Sequence, residues 1–324
     1  MAGGFGTRLR PLTERIPKSL VPIGNRPFLE HQVRLLAAHG VRRATLLTGY
    51  LAADFDAFVP IAARLGVEVT ISTESKPLGT AGAARSTLDH LEGTTIVFNG
   101  DVLTDLDLTA MLETHRSSGA VLTIALHEVS DASAFGLVEH EPDGRITAFR
   151  EKDPERGAAG GWINAGIYVL EPSTLAEIPP DTEWSFEYQV FPGLLEGGQR
   201  MQAYRSDGYW LDIGTRERYL EAHADLLHRR IEAPVDGRIV GSMTLDDGTE
   251  IEAPVLLAHA TVEPGAHLGP EASLAAGVRV GAGARIERSV LLGGADIGAN
   301  AVVLDSIVAT AIEVGDHVEG EIRA

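Results

Sequence analysis

The chain has 324 residues, which is enough for one large α/β domain and a smaller second domain. Its 46 acidic residues outnumber 27 basic ones, and the net charge of −19 disfavours DNA or RNA as a partner because their phosphate backbones would be repelled. The absence of cysteine excludes disulfides and thiolate metal sites, and without a bilayer-length apolar run or a signal-peptide pattern we expect a soluble, cytoplasmic protein with no membrane partner.

A glycine-rich stretch opens the chain at residues 2–12 (AGGFGTRLRPL) and is followed by Lys18. Because glycines permit tight turns and the close approach of a ligand, successive backbone N–H groups here can form a concave anion site. Arg8 adds a fork of donors and Lys18 adds a mobile positive charge, and both suit phosphate oxygens. The alternative is a glycine-rich surface loop with two solvated cations. The two cations together favour a phosphate-binding loop.

The run GGFGTRLRPLT…PKSLVPI resembles the signature of the sugar-1-phosphate nucleotidyltransferases, which join a nucleoside triphosphate to a sugar 1-phosphate and release pyrophosphate. The resemblance implies catalytic roles for Arg8 and Lys18. It also implies nucleotide-binding positions in the loop itself, at Ala2, Gly3, Gly4, Gly6 and Thr7. Ser19 stands where the family usually has a second proline after the lysine. We expect this departure to change the stiffness of the loop and to leave the chemistry unchanged.

In the family a short hydrophobic strand leads into this loop, whereas the sequence has nothing before Met1 and Ala2. A phosphate loop normally follows the carboxyl end of a strand, which sets the direction of its N–H groups. We therefore expect the natural protein to carry a further apolar segment upstream of Met1. Mass spectrometry of the natively expressed N-terminus tests this expectation.

Helix and strand signals alternate after the loop. Apolar residues at helical spacing predict a helix over 28–40, which ends at a glycine suited to a C-cap. A buried strand is predicted at 44–48, then a helix at 53–65 and a second strand at 67–73. This alternation predicts an α/β fold. With the resemblance, it implies a Rossmann-like nucleotidyltransferase domain with a mostly parallel mixed sheet.

The segment 74–83 (ESKPLGTAGA) enters a helix, and its glycines allow the close approach of a ligand such as a base and ribose. An ordinary helix start explains the same residues. The segment is similar to the family's base-contacting segment, in which an acidic or amide residue precedes Pro-Leu-Gly-Thr. That resemblance implies nucleobase contacts from Glu74, Gly79 and Thr80.

Two aspartates stand at positions suited to a metal ion. Asp101 ends the apolar strand predicted at 95–101, and ligands of open α/β sheets bind beyond the carboxyl ends of strands. Asp212 lies just before a helix predicted over 216–230. Carboxylates suit Mg²⁺, which takes oxygen ligands and shares them with substrate phosphates. Each aspartate alone could instead cap a turn or helix. In the family the corresponding aspartates bind one metal ion, which implies that role for Asp101 and Asp212.

Four residues resemble the family's sugar-phosphate site. A strand is predicted at 120–129, and a hairpin at 142–144 precedes adjacent residues Glu151 and Lys152, which face opposite ways on a strand. Considered alone, these two residues fit an exposed, ion-rich edge. The family places a glutamate on the sugar hydroxyls and a lysine on the sugar phosphate at this Glu-Lys pair. The resemblance likewise implies a backbone contact from Gly136 and a hydrogen bond to a sugar hydroxyl from Asn164.

The pattern changes after a turn-rich connector. Apolar residues recur every sixth position at Val262, Leu268, Leu274, Val280, Ile286 and Leu292. Such a period is typical of a left-handed parallel β-helix. We therefore predict a nucleotidyltransferase domain at 1–232, a connector at 233–253 and a hexapeptide-repeat β-helix at 254–324. Histidines in this region leave an acyltransferase as a minor alternative. We expect the coil instead to pack against the first domain or another subunit and to help assembly or regulation, with the protein a homo-oligomer.

The resemblance implies Mg²⁺-assisted in-line transfer of a nucleotidyl group, with an NTP and a sugar 1-phosphate as partners. The runs VFNGDVL, FREKDP and WINAGIYVLEP are most similar to those of bacterial mannose-1-phosphate guanylyltransferases, which use GTP and form GDP-mannose. Glucose-1-phosphate thymidylyl- and uridylyltransferases, and guanylyltransferases for cyclitol or heptose phosphates, stay open because sequence does not display how a base edge is recognised. A non-catalytic subunit that senses nucleotide sugars is the alternative class, and the intact Arg8, Lys18, Asp101, Lys152 and Asp212 speak against it.

Overall fold

The computed structural model describes residues 1–152 and 159–324. The chain forms two compact units. The first unit comprises Met1–Gly4 and Val33–Trp210, and the second comprises Phe5–Gln32 and Leu211–Ala324. The domain boundaries expected at residues 232 and 254 stay a prediction.

The secondary structure up to residue 230 alternates short strands with helices. The strands are β1 (Pro22–Ile23), β2 (Arg26–Pro27), β3 (Arg43–Thr48), β4 (Glu68–Thr73), β5 (Thr95–Phe98), β6 (Val102–Thr104), β7 (Leu122–Val129), β8 (Gly136–His140), β9 (Ile146–Glu151), β10 (Gly161–Leu170), β11 (Met201–Ser206) and β12 (Trp210–Asp212). The α-helices are α1 (Phe28–Ala38), α2 (Val59–Arg64), α3 (Gly79–Arg85), α4 (Leu108–Ser118), α5 (Pro172–Ala176), α6 (Phe191–Glu196) and α7 (Arg216–Leu227). A π-helical segment lies at Phe186–Val190, and short 3-10 segments lie at Thr7–Leu9, Leu12–Glu14, Lys18–Leu20, Ala52–Phe58 and Leu88–His90. Among the described residues, no helix combines the length and apolar character needed to cross a membrane.

Strand β10 is the centre of the main sheet of the first unit. It pairs antiparallel with β5, β7 and β8, while β11 joins β7 in parallel. Strands β3 and β4 form a separate parallel pair. The prediction of a mixed sheet is confirmed, but among the described pairs of the main sheet most are antiparallel, so the expectation that parallel pairs dominate there is wrong. One reason is local: β8 and β9 are joined by the tight turn predicted at 142–144, and a hairpin can only pair its strands antiparallel.

The main sheet is buried on both faces. Alternate residues of β7 and β10 point to opposite sides, so Ile124 and Tyr168 join a core with α3 and α6, whereas Ala125 and Ile167 pack toward α4. This two-sided burial explains why these strands are nearly continuous apolar runs. Helix α4 is fixed at its start by Asp107, whose carboxylate accepts the N–H of Ala110 at 3.0 Å.

The first two residues lie between β3 and β5. The N–H of Ala2 donates to the carbonyl of Leu47 at 2.7 Å, and the Met1 amino group donates to the carbonyl of Phe98 at 2.5 Å. The Met1 carbonyl in turn accepts the N–H of Gly100 at 2.8 Å. These bonds place residues 2–4 beside the carboxyl ends of β3 and β5, where ligands of α/β sheets bind.

In the second unit, residues 5–32 pack on helix α7. The hydroxyl of Tyr219 donates to the carbonyl of Pro22, and Nε2 of His223 lies 3.2 Å from the same oxygen. Thr215 caps α7 by accepting the N–H of Arg218 at 3.3 Å. The helix predicted over 216–230 is therefore present, and it anchors the segment that carries the phosphate loop.

The rest of the second unit is a β-helix built from short strands in three sheets. The strands are β13 (Arg238–Val240), β14 (Met243–Thr244), β15 (Glu250–Ile251), β16 (Val255–Leu257), β17 (Thr261–Val262), β18 (His267–Leu268), β19 (Ala272–Leu274), β20 (Arg279–Val280), β21 (Arg285–Glu287), β22 (Val290–Leu291), β23 (Asp296–Ile297), β24 (Val302–Leu304), β25 (Ile307–Val308), β26 (Ala311–Ile312), β27 (His317–Glu319) and β28 (Ile322–Arg323). From β15 onward each strand stacks in parallel on the strand one coil later, which confirms the predicted coil. Within the described part of the β-helix, only the first two pairs, β13 with β16 and β14 with β15, are antiparallel.

The hexapeptide phase holds for the first coils and then slips. Leu268 pairs with Ile286, three hexapeptides further on, but Leu274 pairs with Leu291 rather than with Leu292. The repeat predicted Leu292 as the residue stacked on Leu274, and this prediction is wrong by one residue, although the side chain of Leu292 is also buried. A coil that is one residue shorter still brings an apolar side chain inward, because the missing residue is taken from a turn.

Candidate active site

The part of the glycine loop in the second unit is held in a conformation that suits glycine. Gly6 has φ 59° and ψ 34°, and a Cβ there would stand 3.0 Å from both Lys18 Cβ and Thr13 Cγ2. The buried Thr13 hydroxyl donates to the Gly6 carbonyl at 2.8 Å. Thr7 then begins a 3-10 turn that carries Arg8 outward. The loop is thus shaped by Gly6 and Thr13, and Arg8 is exposed at its end.

Three of the four predicted catalytic residues come together in the second unit. Lys18 Nζ lies 3.7 Å from Oδ1 of Asp212, and both side chains are mostly buried. The guanidinium of Arg8 lies against Gly214, whose missing side chain leaves room for it: a Cβ there would stand 3.0 Å from Arg8 Cζ and 2.8 Å from Asp212 Oδ1. Two cations and one carboxylate therefore share a small volume, which suits a phosphate group together with a cation.

In the first unit, Glu74 links the loop start to helix α3. A Cβ on Gly3 would stand 3.1 Å from Glu74 Oε1, so the two residues are in close contact. The other carboxylate oxygen of Glu74 accepts the N–H of Leu78 at 2.7 Å, just before Gly79 starts α3. Gly4 has open space where a side chain would be. The predicted nucleotide residues Ala2, Gly3, Glu74 and Gly79 therefore occupy one region of this unit.

Asp101 lies between β5, which ends at Phe98, and β6, which begins at Val102, so the strand predicted to run to Asp101 ends three residues earlier. The preceding Asn99 and Gly100 are fixed by backbone hydrogen bonds to Gly166 and Met1, each of 2.8 Å. Burial lowers the pKa of the Met1 amino group to about 6, and the charge of Asp101 acts in the opposite direction. The half-buried carboxylate therefore lies close enough to the Met1 amino group to stabilise its positive charge.

Of the predicted sugar-phosphate residues, Glu151 ends strand β9, and Lys152 follows the strand with φ 49°, so the two do not alternate along one strand as expected. Glu151 pairs in register with Gly136, so the small residue faces the glutamate across the hairpin. Lys152 Nζ lies 3.7 Å from Glu151 Oε1, and the lysine side chain is 63% exposed while that of Glu151 is 14% exposed. Burial and then the charge of Glu187 raise the pKa of Glu151, and Lys152 opposes them. The exposed amine is thus available to an incoming phosphate. Asp153 and Pro154, which complete the FREKDP run, lie outside the described residues.

A hydrogen-bond network joins Asn164 on β10 to Thr80 on α3. Asn164 Nδ2 donates to the hydroxyl of Tyr168 at 2.9 Å, and that hydroxyl donates to Glu187 at 3.3 Å. The hydroxyl of Thr80 donates to the same carboxylate at 3.0 Å. Burial raises the pKa of Tyr168 well above its ordinary value, so its hydroxyl stays a donor. The structure therefore connects a predicted nucleotide residue with a predicted sugar residue through Glu187.

The donor set fits a hard divalent cation that is shared with substrate. Asp101 and Asp212 offer only carboxylate oxygens, which Mg²⁺ prefers. The described residues contain no group of three or more His, Asp or Glu side chains that could hold a metal by themselves. Asp101 lies in the first unit and Asp212 in the second, and each is a carboxylate of the kind that Mg²⁺ combines with waters and substrate phosphates.

Sequence patterns missed three residues that shape the site. Thr13 and Gly214 have roles that only the folded structure reveals: Thr13 donates a hydrogen bond to Gly6 within the loop, and Gly214 contacts Arg8, which is distant in sequence. The sequence predicts a helix start at Glu187 with Ser185 as its N-cap. The N-cap is confirmed, because the Ser185 side chain accepts the N–H groups of Glu187 and Tyr188. An acidic residue two positions after an N-cap is common, so the sequence carried no signal for its role in the network.

Comparison with known proteins places the chain in a class. Residues 1–229 match the family described as Nucleotidyl transferase, and residues 251–321 match the family described as GMPPB C-terminal domain. The chain belongs to the nucleotidyl transferase family, as the resemblance of its loop implied.

Individual members of the family are similar to the chain over most of its length. The chain is 39% identical over 298 residues to a mannose-1-phosphate guanylyltransferase of Mycobacterium tuberculosis, covering 89% of this chain and 82% of that one. It is 30% identical over 332 residues to a UTP–glucose-1-phosphate uridylyltransferase of Synechocystis, covering 95% and 86%. Among solved structures, HddC from Yersinia pseudotuberculosis complexed with GMP-PN has a TM-score of 0.60 at 32% identity, covering 68% of this chain and 95% of that one.

Proposed function

We propose that the protein transfers a guanylyl group from GTP to mannose 1-phosphate and releases pyrophosphate and GDP-mannose. A phosphate oxygen of the sugar 1-phosphate forms a bond to the α-phosphorus of GTP, and the bond from that phosphorus to the β-phosphate oxygen breaks. The observation that carries the proposal is the cluster of Arg8, Lys18 and Asp212 in the second unit. The likeness to the Mycobacterium tuberculosis guanylyltransferase supports the choice of substrates.

The residues of the chain would act by positioning and by stabilising charge. The nucleophile is already an anion, so no general base is needed. Arg8 and Lys18, with the N–H groups of residues 2–7, would bind the triphosphate and stabilise the charge that moves onto pyrophosphate. Lys152, with its exposed amine beside Glu151, would hold the incoming phosphate. Glu151 would accept hydrogen bonds from sugar hydroxyls, and Asn164 would donate one to a sugar hydroxyl.

We also propose that Asp101 and Asp212 bind Mg²⁺. When bound, the ion would neutralise phosphate oxygens of both substrates and polarise the reacting phosphorus. Lys18, 3.7 Å from Asp212, would hold that carboxylate in place before the substrate arrives.

The test is a pyrophosphate-release assay with each of GTP, ATP, UTP and dTTP against mannose, glucose and heptose 1-phosphates. We expect the highest kcat/KM for GTP with mannose 1-phosphate. A preference for UTP or dTTP with glucose 1-phosphate, the pattern that the Synechocystis relative suggests, would replace the substrate assignment. Binding of GDP-mannose without any pyrophosphate release would favour the sensor alternative instead.

The metal assignment has a matched pair of variants. Asp101→Asn should lower kcat by about a hundredfold or more, because a ligand that offsets several kcal/mol of phosphate charge is lost. Asp89→Asn, an exposed aspartate of the same unit, should leave kcat unchanged. Thermal unfolding of both variants checks that the fold is kept. Wild-type turnover in Asp101→Asn would contradict the assignment.

We further propose a cytoplasmic homo-oligomer. Its nucleotide substrate is a cytoplasmic metabolite, and the second unit exposes the apolar side chains of Met243, Leu245 and Val314. Light scattering measures the mass in solution, and cell fractionation tests the location. A mass equal to that of one chain, 34.4 kDa, would contradict assembly.

A further inference from the structure

The segment that carries Glu187 is tied to the first turn of helix α3. The carbonyl of Trp184 accepts the N–H groups of Ala81 and Gly82 at 2.9 and 3.0 Å, and the N–H of Trp184 donates to the carbonyl of Leu78 at 2.8 Å. Three main-chain bonds therefore fix this segment against α3. Because main-chain bonds persist when a side chain is exchanged, a substitution of Glu187 changes its chemistry more than its place.

Glu187 accepts three hydroxyl groups. One carboxylate oxygen accepts from Ser185 at 2.6 Å and from Thr80 at 3.0 Å, and the other accepts from Tyr168 at 3.3 Å. An ionised carboxylate can only accept hydrogen bonds, so each of these hydroxyls must direct its hydrogen toward Glu187. The anion therefore sets the orientation of hydroxyl groups on three different elements.

The orientation of the Tyr168 hydroxyl in turn fixes the orientation of the Asn164 side-chain amide. Since the Tyr168 hydrogen points at Glu187, the Tyr168 oxygen must accept, and it accepts from Asn164 Nδ2 at 2.9 Å. Asn164 Oδ1 accepts the N–H of Gly166 at 2.9 Å. The amide is thereby fixed with its nitrogen toward Tyr168, and the other Nδ2 hydrogen is the group that it can offer to a ligand.

We propose that Glu187 is a positioning residue that fixes the hydrogen-bond direction of Tyr168 and Asn164 and thereby presents a donor to a hydroxyl of the sugar 1-phosphate. This inference rests on the proposed function. Thr80 links the same carboxylate to the nucleotide side, where its hydroxyl also accepts the N–H of Phe186 at 2.9 Å. One anion would thus orient side chains for both substrates.

Glu187→Gln tests the direction of the network with little change of shape. The amide oxygen of glutamine can still accept from Ser185 and Thr80, but its NH₂ group would then face the Tyr168 hydroxyl. That hydroxyl would then face donors on both sides, and its own buried hydrogen would have no acceptor unless the Asn164 amide rotated to present its oxygen. We expect KM for the sugar 1-phosphate to rise about tenfold, with kcat and the KM for GTP changed by less than about threefold.

Two further variants separate positioning from a general loss of structure. Tyr168→Phe keeps the buried ring and removes the connecting hydroxyl, so Glu187→Gln should add no further increase in KM in the double variant. Tyr188→Phe, the 61% exposed neighbour, should match wild type. Thermal unfolding of every variant reports the fold.

Several results would overturn the inference. If the wild-type enzyme releases pyrophosphate and Glu187→Gln leaves KM for the sugar 1-phosphate unchanged, this inference is overturned and the proposed function stands. Additive effects of the two substitutions, or equal changes in both KM values together with lower thermal stability, would show a merely structural glutamate. A wild-type protein without pyrophosphate release overturns the proposed function, and this inference with it.

Discussion

The contact between Arg8 and Gly214 gives a sharp test of the catalytic cluster. Gly214 is buried and its φ lies outside the left-handed region, so alanine fits its backbone conformation. The added Cβ, however, would stand 3.0 Å from Arg8 Cζ and 2.8 Å from Asp212 Oδ1, and closer still to one guanidinium nitrogen. Gly214→Ala should therefore displace two functional groups while the main chain stays in place.

The size of the effect follows from that geometry. Ordinary contact requires the Arg8 guanidinium to move by about 1 Å, and a shift of that size at a reacting centre can lower the rate about a hundredfold. Arg8 is exposed at the end of a flexible side chain, so the movement costs little stability. Exchange of glycine for alanine also stabilises by about 0.4–1 kcal/mol through the unfolded state. We expect kcat/KM to fall about a hundredfold with an unchanged or slightly raised Tm.

Steady-state pyrophosphate release and thermal unfolding measure the two quantities. Gly241→Ala is the matched control, because it adds the same methyl group in the same unit with nothing within 4 Å. Arg8→Ala removes the side chain that is displaced, so most of the effect of Gly214→Ala should disappear in that background. Wild-type kcat/KM in Gly214→Ala, or a loss of activity that a lower Tm explains, would refute this account of Arg8.

Three other predictions concern the sugar phosphate, pH and the β-helix. Lys152→Ala should raise KM for the sugar 1-phosphate about tenfold or more and affect KM for GTP much less, since an exposed charge-assisted contact is lost; equal KM values in initial-rate assays would count against it. Burial lowers the pKa of His223 to about 4, so between about pH 4 and 6.5 the unfolded chain binds a proton that the folded chain does not. The free energy of unfolding should consequently fall by about 2 kcal/mol from pH 7 to pH 5, and His223→Gln should flatten that part of the urea-denaturation profile, whereas exposed His90→Gln should not. Leu291→Ala should destabilise the β-helix by about 2–5 kcal/mol because its side chain is fully buried, while Glu313→Ala, at an exposed position of the same β-helix, should have almost no effect in the same assay.

The sequence was informative where local pattern determines structure. The glycine loop, helix α1, the strands that become β3 and β4, and the coil all follow from glycine placement or from apolar periodicity over short distances. The antiparallel surroundings of β10 did not follow. Apolar runs show that a strand is buried on both faces, but they carry no information on the direction of its neighbours.

The site divides in the same way. Arg8, Lys18 and Asp212 were predicted because they stand in motifs that resemble those of the nucleotidyltransferases, and the two cations near the glycines also favoured a phosphate-binding loop on their own. Glu187 and Gly214 gave no such signal. Glu187 resembles any acidic residue in the first turn of a helix. Gly214 resembles any glycine that precedes a helix cap. Their importance lies in contacts with Thr80 and Arg8, which are far away in sequence, and no local pattern contains such a contact.

Glu187 and Gly214 address one physical problem in different ways. A reaction that depends on placed charge needs its flexible cations and hydroxyls held in a single direction before the substrate binds, because any reorientation during the reaction adds to the barrier. Gly214 contributes by leaving, beside Asp212, the space that the Arg8 guanidinium occupies. Glu187 achieves it by being an obligatory acceptor, so that the hydroxyls of Thr80 and Tyr168 have one favourable orientation. Gly214 and Glu187 both determine how neighbouring side chains are oriented. Their substitution should therefore change kcat or KM at a point where the Tm is still close to that of wild type.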